Sequence, residues 1–150
     1  MVRFKHRYLL CEFFWENGSV NLQADASSLK HDLRSALQHC FGIHGLGLTQ
    51  SGLNVKFFNN LTNMAIIKAP RDHYRMVWLS LVSLRNLGNM KCSVRVVHIG
   101  GSVKLCQKAA LEHGRSLFKA LSEYHHEFPD LSLSPQSLLD QESDIVVLEP

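Results

Sequence analysis

The chain has no long apolar run, no closely paired cysteines and, beyond Lys119, no lysine or arginine. Its longest apolar stretch, Met76 to Leu84, falls far short of the roughly 20 residues that a membrane-spanning helix needs. The opening residues are basic and alternating and hold no apolar segment of leader length, so no secretory signal is expected. The four cysteines, Cys11, Cys40, Cys92 and Cys106, form neither a CxxC pair nor a dense framework, which points to a reduced, intracellular protein. Cys92, His98, Cys106 and His113 fit the spacing of no common zinc module, so no metal site is expected. There is no GxxxxGKS/T or GxGxxG loop to cradle a nucleotide, no HExxH and no nucleophile elbow. The carboxylates before the tail are dispersed, and no pair shares a helix face with a plausible base. No catalytic residue and no cofactor of its own are therefore expected of this chain.

What is present is an ordinary core-forming composition, 45% hydrophobic and 19% charged over 150 residues, enough for one hydrophobic core. The net charge of +3 hides a strong asymmetry. Residues 1–126 hold all sixteen Lys and Arg against seven Asp and Glu, giving +9, and residues 127–150 hold six acidic residues and no lysine or arginine. The division reads as a basic domain over 1–126 and an acidic, flexible tail over 127–150. A field of that sign suits a polyanion such as nucleic acid. Charge alone serves solubility equally well.

Residues 3–14 alternate as a strand does. Asn17-Gly18 signals a turn, and Asp25 or Ser27 can cap a helix running to about Phe41 with Leu29, Leu33, Ala36, Leu37 and Cys40 on one face. Gly42, Gly45, Gly47 and Gly52 read as a flexible loop. Strands over 53–59 and 63–69 form a hairpin, and Phe57 and Phe58 point to opposite faces of it. A helix follows from Arg71 to Leu87, ended by Gly88-Asn89. A strand over 91–99 and a final helix after Gly100-Gly101 complete the domain. The order β-α-β-β-α-β with an additional C-terminal helix is the ferredoxin-like, RRM-like α+β arrangement, an antiparallel sheet with helices on one face. The other face is left for RNA, a partner protein or the extra helix.

The segment HIGGSVKLCQK, residues 98–108, sets flexible backbone, a capping hydroxyl and positive charge at one point. Gly100 and Gly101 let a ligand approach the backbone, Ser102 is a natural N-cap, and the free N–H groups of the first turn attract anions. At about 100° per residue, Lys104, Lys108, Arg115 and Lys119 fall within roughly 60° of one another, opposite Val103, Cys106, Ala110, Leu117, Leu121 and Tyr124. In the first strand Arg3, Lys5 and Arg7 project to one side, with Phe4, His6 and Tyr8 on the other. Lys56, Asn59, Asn60, Thr62, Asn63 and Lys68 in the hairpin are short polar and basic groups able to reach phosphate. The same residues would also serve as a solvated helix face, a charge-protected edge strand and ordinary turn residues.

MVRFKHRYLLCE at residues 1–12 resembles the opening of the Pop-five subunit family of eukaryotic ribonuclease P and RNase MRP. HIGGSVKLCQK is similar to that family's second signature. Val55-Lys56-Phe57 with Asn59 and Thr62 resembles its hairpin, and Arg71 to Tyr74 with Val77-Trp78 its second helix; the likeness spans about residues 1–124. Phe57 stands where the family often has tyrosine, and the tail matches poorly beyond being acidic. The resemblance implies a non-catalytic subunit that stabilises a catalytic noncoding RNA, with magnesium held by that RNA and none bound by this chain. It implies other protein subunits as partners, precursor tRNA and precursor rRNA as substrates of the complex, and a nuclear and nucleolar location. Carried onto this sequence, the RNA-facing candidates are Arg3, Lys5, His6, Arg7, Gly100, Gly101, Ser102, Lys104 and Lys108, with Lys56 and Asn59 weaker; the helical pattern adds Arg115 and Lys119. The competing expectation is a free-standing RRM-like binder of single-stranded RNA, which would need exposed aromatics on the central strands where Val94, Val96, Ile66 and Ile67 stand.

Overall fold

The computed structural model describes residues 5–16, 18, 21 and 23–127, with side chains to residue 120. Arg3 and the tail after Glu127 lie outside the described residues. The elements run β1 (His6–Trp15), α1 (Ala26–Gln50), β2 (Asn54–Asn59), β3 (Met64–Pro70), α2 (Tyr74–Ser83), β4 (Asn86–Leu87), β5 (Met90–Gly100) and α3 (Val103–Glu127). The strand order is β2-β3-β1-β5-β4, and every pairing is antiparallel. Without the short β4 this is the ferredoxin-like order expected from the sequence. The chain divides into two compact units, Met1–Cys106 and Gln107–Pro150. The first holds the sheet, α1, α2 and the head of α3.

Alternation along β1 sends Leu9, Cys11, Phe13 and Trp15 into one core with Leu29, Leu33 and Leu37 of α1 and Val77 and Leu81 of α2. Phe58 joins them, its ring edge-on to Phe13 at 5.7 Å between centroids. On the second face Leu10 and Ile66 are also fully buried. Asp25 starts α1 through a capping box, its carboxylate accepting from the Ser28 N–H at 2.7 Å while Ser28 Oγ accepts from the Asp25 N–H at 3.0 Å.

Two element boundaries differ from the sequence expectation. The glycine-rich stretch after Phe41 is a second helical arm rather than a loop. Gly42, at φ 68° and ψ −169°, breaks the helix in a conformation essentially reserved for glycine, and the helix resumes to Gln50. The helix expected over 71–87 stops at Ser83, with Leu84 extended. Asn86 and Leu87 instead pair with Lys91 and Met90 across a turn at Gly88, φ 59°. Leu84 and Leu87 are buried and keep the apolar spacing, but the Gly88 N–H donates to Asp32 Oδ2 at 2.9 Å and holds the turn as a hairpin. Tertiary contacts override the local pattern there.

Candidate RNA interface

Three strand ends meet at one edge of the sheet. The registers His6 with Pro70 and Tyr8 with Gly100 set the start of β1 between the ends of β3 and β5. The Arg71 N–H donates to the Lys5 carbonyl at 3.0 Å and carries the β1–β3 ladder past the strand. The result is a shallow depression of about 330 Å³ lined by Lys5, His6, Arg7, Arg71 and Gly101. None of its lining residues is acidic.

Gly101 is the close-approach point. A Cβ there would stand 3.2 Å from the Arg7 guanidinium, so a bare backbone lets this side chain lie against the turn. The Leu105 N–H donates to Ser102 Oγ at 3.4 Å, which makes Ser102 the N-cap of α3. The first turn of α3 is fixed to the sheet through Cys106, a buried thiol whose Sγ lies 3.4 Å from the Tyr8 carbonyl oxygen. Burial raises its pKa, and raises that of Cys11 further still, so both remain thiols that pack rather than react. Burial, and then the Lys68 ammonium, hold the His6 imidazole below its ordinary value of 6.5. At neutral pH the cationic character of the depression therefore comes from Lys5, Arg7 and Arg71. Guanidinium forks there can take phosphate oxygens two at a time, and the ammonium adds a point charge.

The structure thus brings Lys5, His6, Arg7, Gly100, Gly101 and Ser102 together, with Lys104 exposed on the first turn of α3. Lys108, Arg115 and Lys119 are exposed on α3 in the second unit, where Lys108 lies 3.9 Å from Glu112 one turn on. Lys56 is exposed on β2, separated from β5 by two strands. Asn59 holds its own turn, its Oδ1 accepting from the N–H groups of Leu61 at 2.8 Å and Thr62 at 3.3 Å. That is the turn-residue reading of this side chain. Arg71 belongs to the basic edge although the sequence does not single it out, and Lys68, one of the hairpin's polar and basic groups, sets its charge beside His6 there. The ferredoxin-like order sets β1 beside β3, but only the register between them carries both residues to the site, and the sequence holds no signal for that register beyond Pro70 closing a hairpin. Among the described residues no three His, Cys, Asp or Glu side chains gather as a metal-holding group, and no helix is long and apolar enough to cross a membrane.

Residues 7–111 match the family model described as the Rpp14/Pop5 family. The chain belongs to the Rpp14/Pop5 family. It is 31% identical to the mouse protein named ribonuclease P/MRP protein subunit POP5, over 95% of this chain and 89% of that one. To the protein of the same name from the fission yeast Schizosaccharomyces pombe it is 34% identical, over 77% and 90%. A chain of the cryo-EM structure of yeast ribonuclease MRP superimposes with a TM-score of 0.49 at 15% identity, covering 87% of this chain and 99% of that one. The Rpp14/Pop5 match takes in β1 from Arg7, the Gly100-Gly101 turn and the head of α3, the same elements that build the basic edge.

Proposed function

We propose that this chain is a non-catalytic protein subunit of ribonuclease P and RNase MRP that braces the catalytic RNA, in support of tRNA 5′-leader removal and pre-rRNA processing. The observation that carries the reading is the acid-free depression in which Lys5, Arg7 and Arg71 converge on a glycine turn at the head of a capped helix. Such a set neutralises phosphates without selecting bases, which suits holding a folded RNA's backbone. Its partners are then the catalytic noncoding RNA and other protein subunits, with precursor tRNA and rRNA handled by the complex in the nucleus and nucleolus. The magnesium used in phosphodiester hydrolysis is held by the RNA. A free-standing binder of single strands would stack bases on the centre of the sheet's second face, where Leu10 and Ile66 are fully buried.

The test is a tagged pull-down from cells with sequencing of the RNA and identification of the proteins. One or two abundant structured noncoding RNAs, recovered with pre-tRNA-cleaving activity, are the expected outcome. Many unrelated mRNAs, or no RNA, would overturn the reading.

A further inference from the structure

A second groove lies on α1, away from the sheet-edge site. It measures about 430 Å³. Lys30, Arg34 and Gln38 follow one another at one-turn intervals along its wall, with His31 and Ser35 beside them. Ser27 begins the stripe, so the wall runs over residues 27–38, or about 16 Å at the helical rise per residue. The opposite contribution comes from the second arm of the same helix, which the break at Gly42 sets against the first so that Leu46 also lines the groove. Every lining residue except Leu46 is polar and none is acidic. The Ser35 hydroxyl donates to the His31 carbonyl and one Lys30 N–H to Asn54 Oδ1, leaving the remaining Lys30 N–H groups, Arg34 and Gln38 as donors. The neighbouring carboxylates are engaged elsewhere, Asp25 with the Ser28 N–H and Asp32 with the Gly88 N–H.

We propose that this groove is a second contact for the phosphate backbone of RNA, independent of the sheet edge. The inference rests on the RNA-scaffolding reading given above and extends it to a second face of the molecule. A row of donors at successive turns matches a run of phosphates rather than a single anion. A protein partner is less well served, because docking surfaces between proteins are anchored by buried apolar or aromatic side chains and this one holds a single leucine. Two separated phosphate contacts would let one small domain bridge two RNA segments, which is how a protein without chemistry of its own holds a folded RNA in shape.

The test uses the full chain and an in vitro transcript of ribonuclease P RNA, with affinity measured across a salt series. Lys30→Gln with Arg34→Gln keeps most of the packing of both side-chain stems and removes two cations. The salt slope of log K is expected to fall in magnitude by about 1.5, at some 0.7–0.9 per lost phosphate contact. The loss should add to that of Lys5→Gln with Arg7→Gln, and Ser35→Glu, which sets a carboxylate in the groove, should weaken binding again. An unchanged slope in double variants that circular dichroism shows to be folded overturns the groove and leaves the subunit reading intact. In a tagged pull-down of the same variants from cells, loss of a protein subunit alongside unchanged RNA affinity assigns the groove to an acidic protein surface and overturns it too. A wild-type chain that leaves the transcript unbound overturns both.

Discussion

A Cβ on Gly100 would stand 3.2 Å from Cys106 Sγ and from Leu105 Cβ and 3.3 Å from the Ser102 carbonyl oxygen, groups held by packing and by the helix cap. On Gly101 the one near neighbour is the tip of the Arg7 side chain, which can swing away. The two alanine variants should therefore separate stability from binding. Gly100→Ala is expected to lower unfolding stability by about 1–3 kcal/mol, as overpacking does. Gly101→Ala is expected to change it by less than about 0.5 kcal/mol while weakening RNA binding through the displaced guanidinium. Thermal melts and filter binding on the pair check both. His6 supplies a pH test. Because its folded-state pKa lies below 6.5, the imidazole is neutral at neutral pH and gains charge only on further acidification. RNA affinity should climb more steeply below that value in the wild type than in His6→Gln, and the two should agree at neutral pH. Stability runs the opposite way for this group. The unfolded chain takes the proton first, so the contribution of His6 is complete above 6.5 and is lost as pH falls through the folded value.

At the scale of elements, periodicity made the helices legible and could not show where they stop. Of the face expected for the first arm of α1, Leu29, Leu33 and Leu37 are buried in the structure, Ala36 is half-buried and Cys40 is exposed. The second arm was hidden because Gly42, Gly45, Gly47 and Gly52 carry the signature of a loop, and glycine in a helix interior is disfavoured by about 1 kcal/mol. It is helical because one glycine absorbs the break and Gly45 and Thr49 are buried on the far side. The end of α2 differs from the sequence pattern for the converse reason, since the Leu84 and Leu87 spacing serves a helix and a buried hairpin edge alike. On α3 the expected apolar face is buried at Val103, Cys106 and Ala110, but Leu117, expected on the same face, is exposed, and the side chains of Leu121 and Tyr124 lie outside the described residues; the basic ridge is exposed at Lys104 and Lys108. Replacing both lysines with glutamate should leave the circular dichroism spectrum unchanged and reduce RNA affinity about tenfold or more at low salt. Unchanged affinity in the folded double variant would remove this ridge from the interface.

At the scale of the molecule, residues 127–150 carry six acidic charges against the +9 of the preceding chain. Removing them should speed association with RNA at low ionic strength and lose that advantage near 1 M salt, where the Debye length shrinks to about 3 Å. Stopped-flow association rates at two salt concentrations measure this directly, and equal rates at low salt would leave the tail with no electrostatic role. The sequence by itself determined the local and the additive: strand alternation, helix faces, caps, turn residues and the imbalance of charge. Each of these depends on residues within a few positions of one another or on a sum over the chain. Only the tertiary structure decided which cations share a site. Arg71 reaches Lys5 and Arg7 through the β1–β3 register, and Leu46 meets Lys30 and Arg34 through the break at Gly42. Those pairings join residues distant in sequence, and a hydrophobic pattern that fixes which face is buried does not say which strand or helical arm lies beside it.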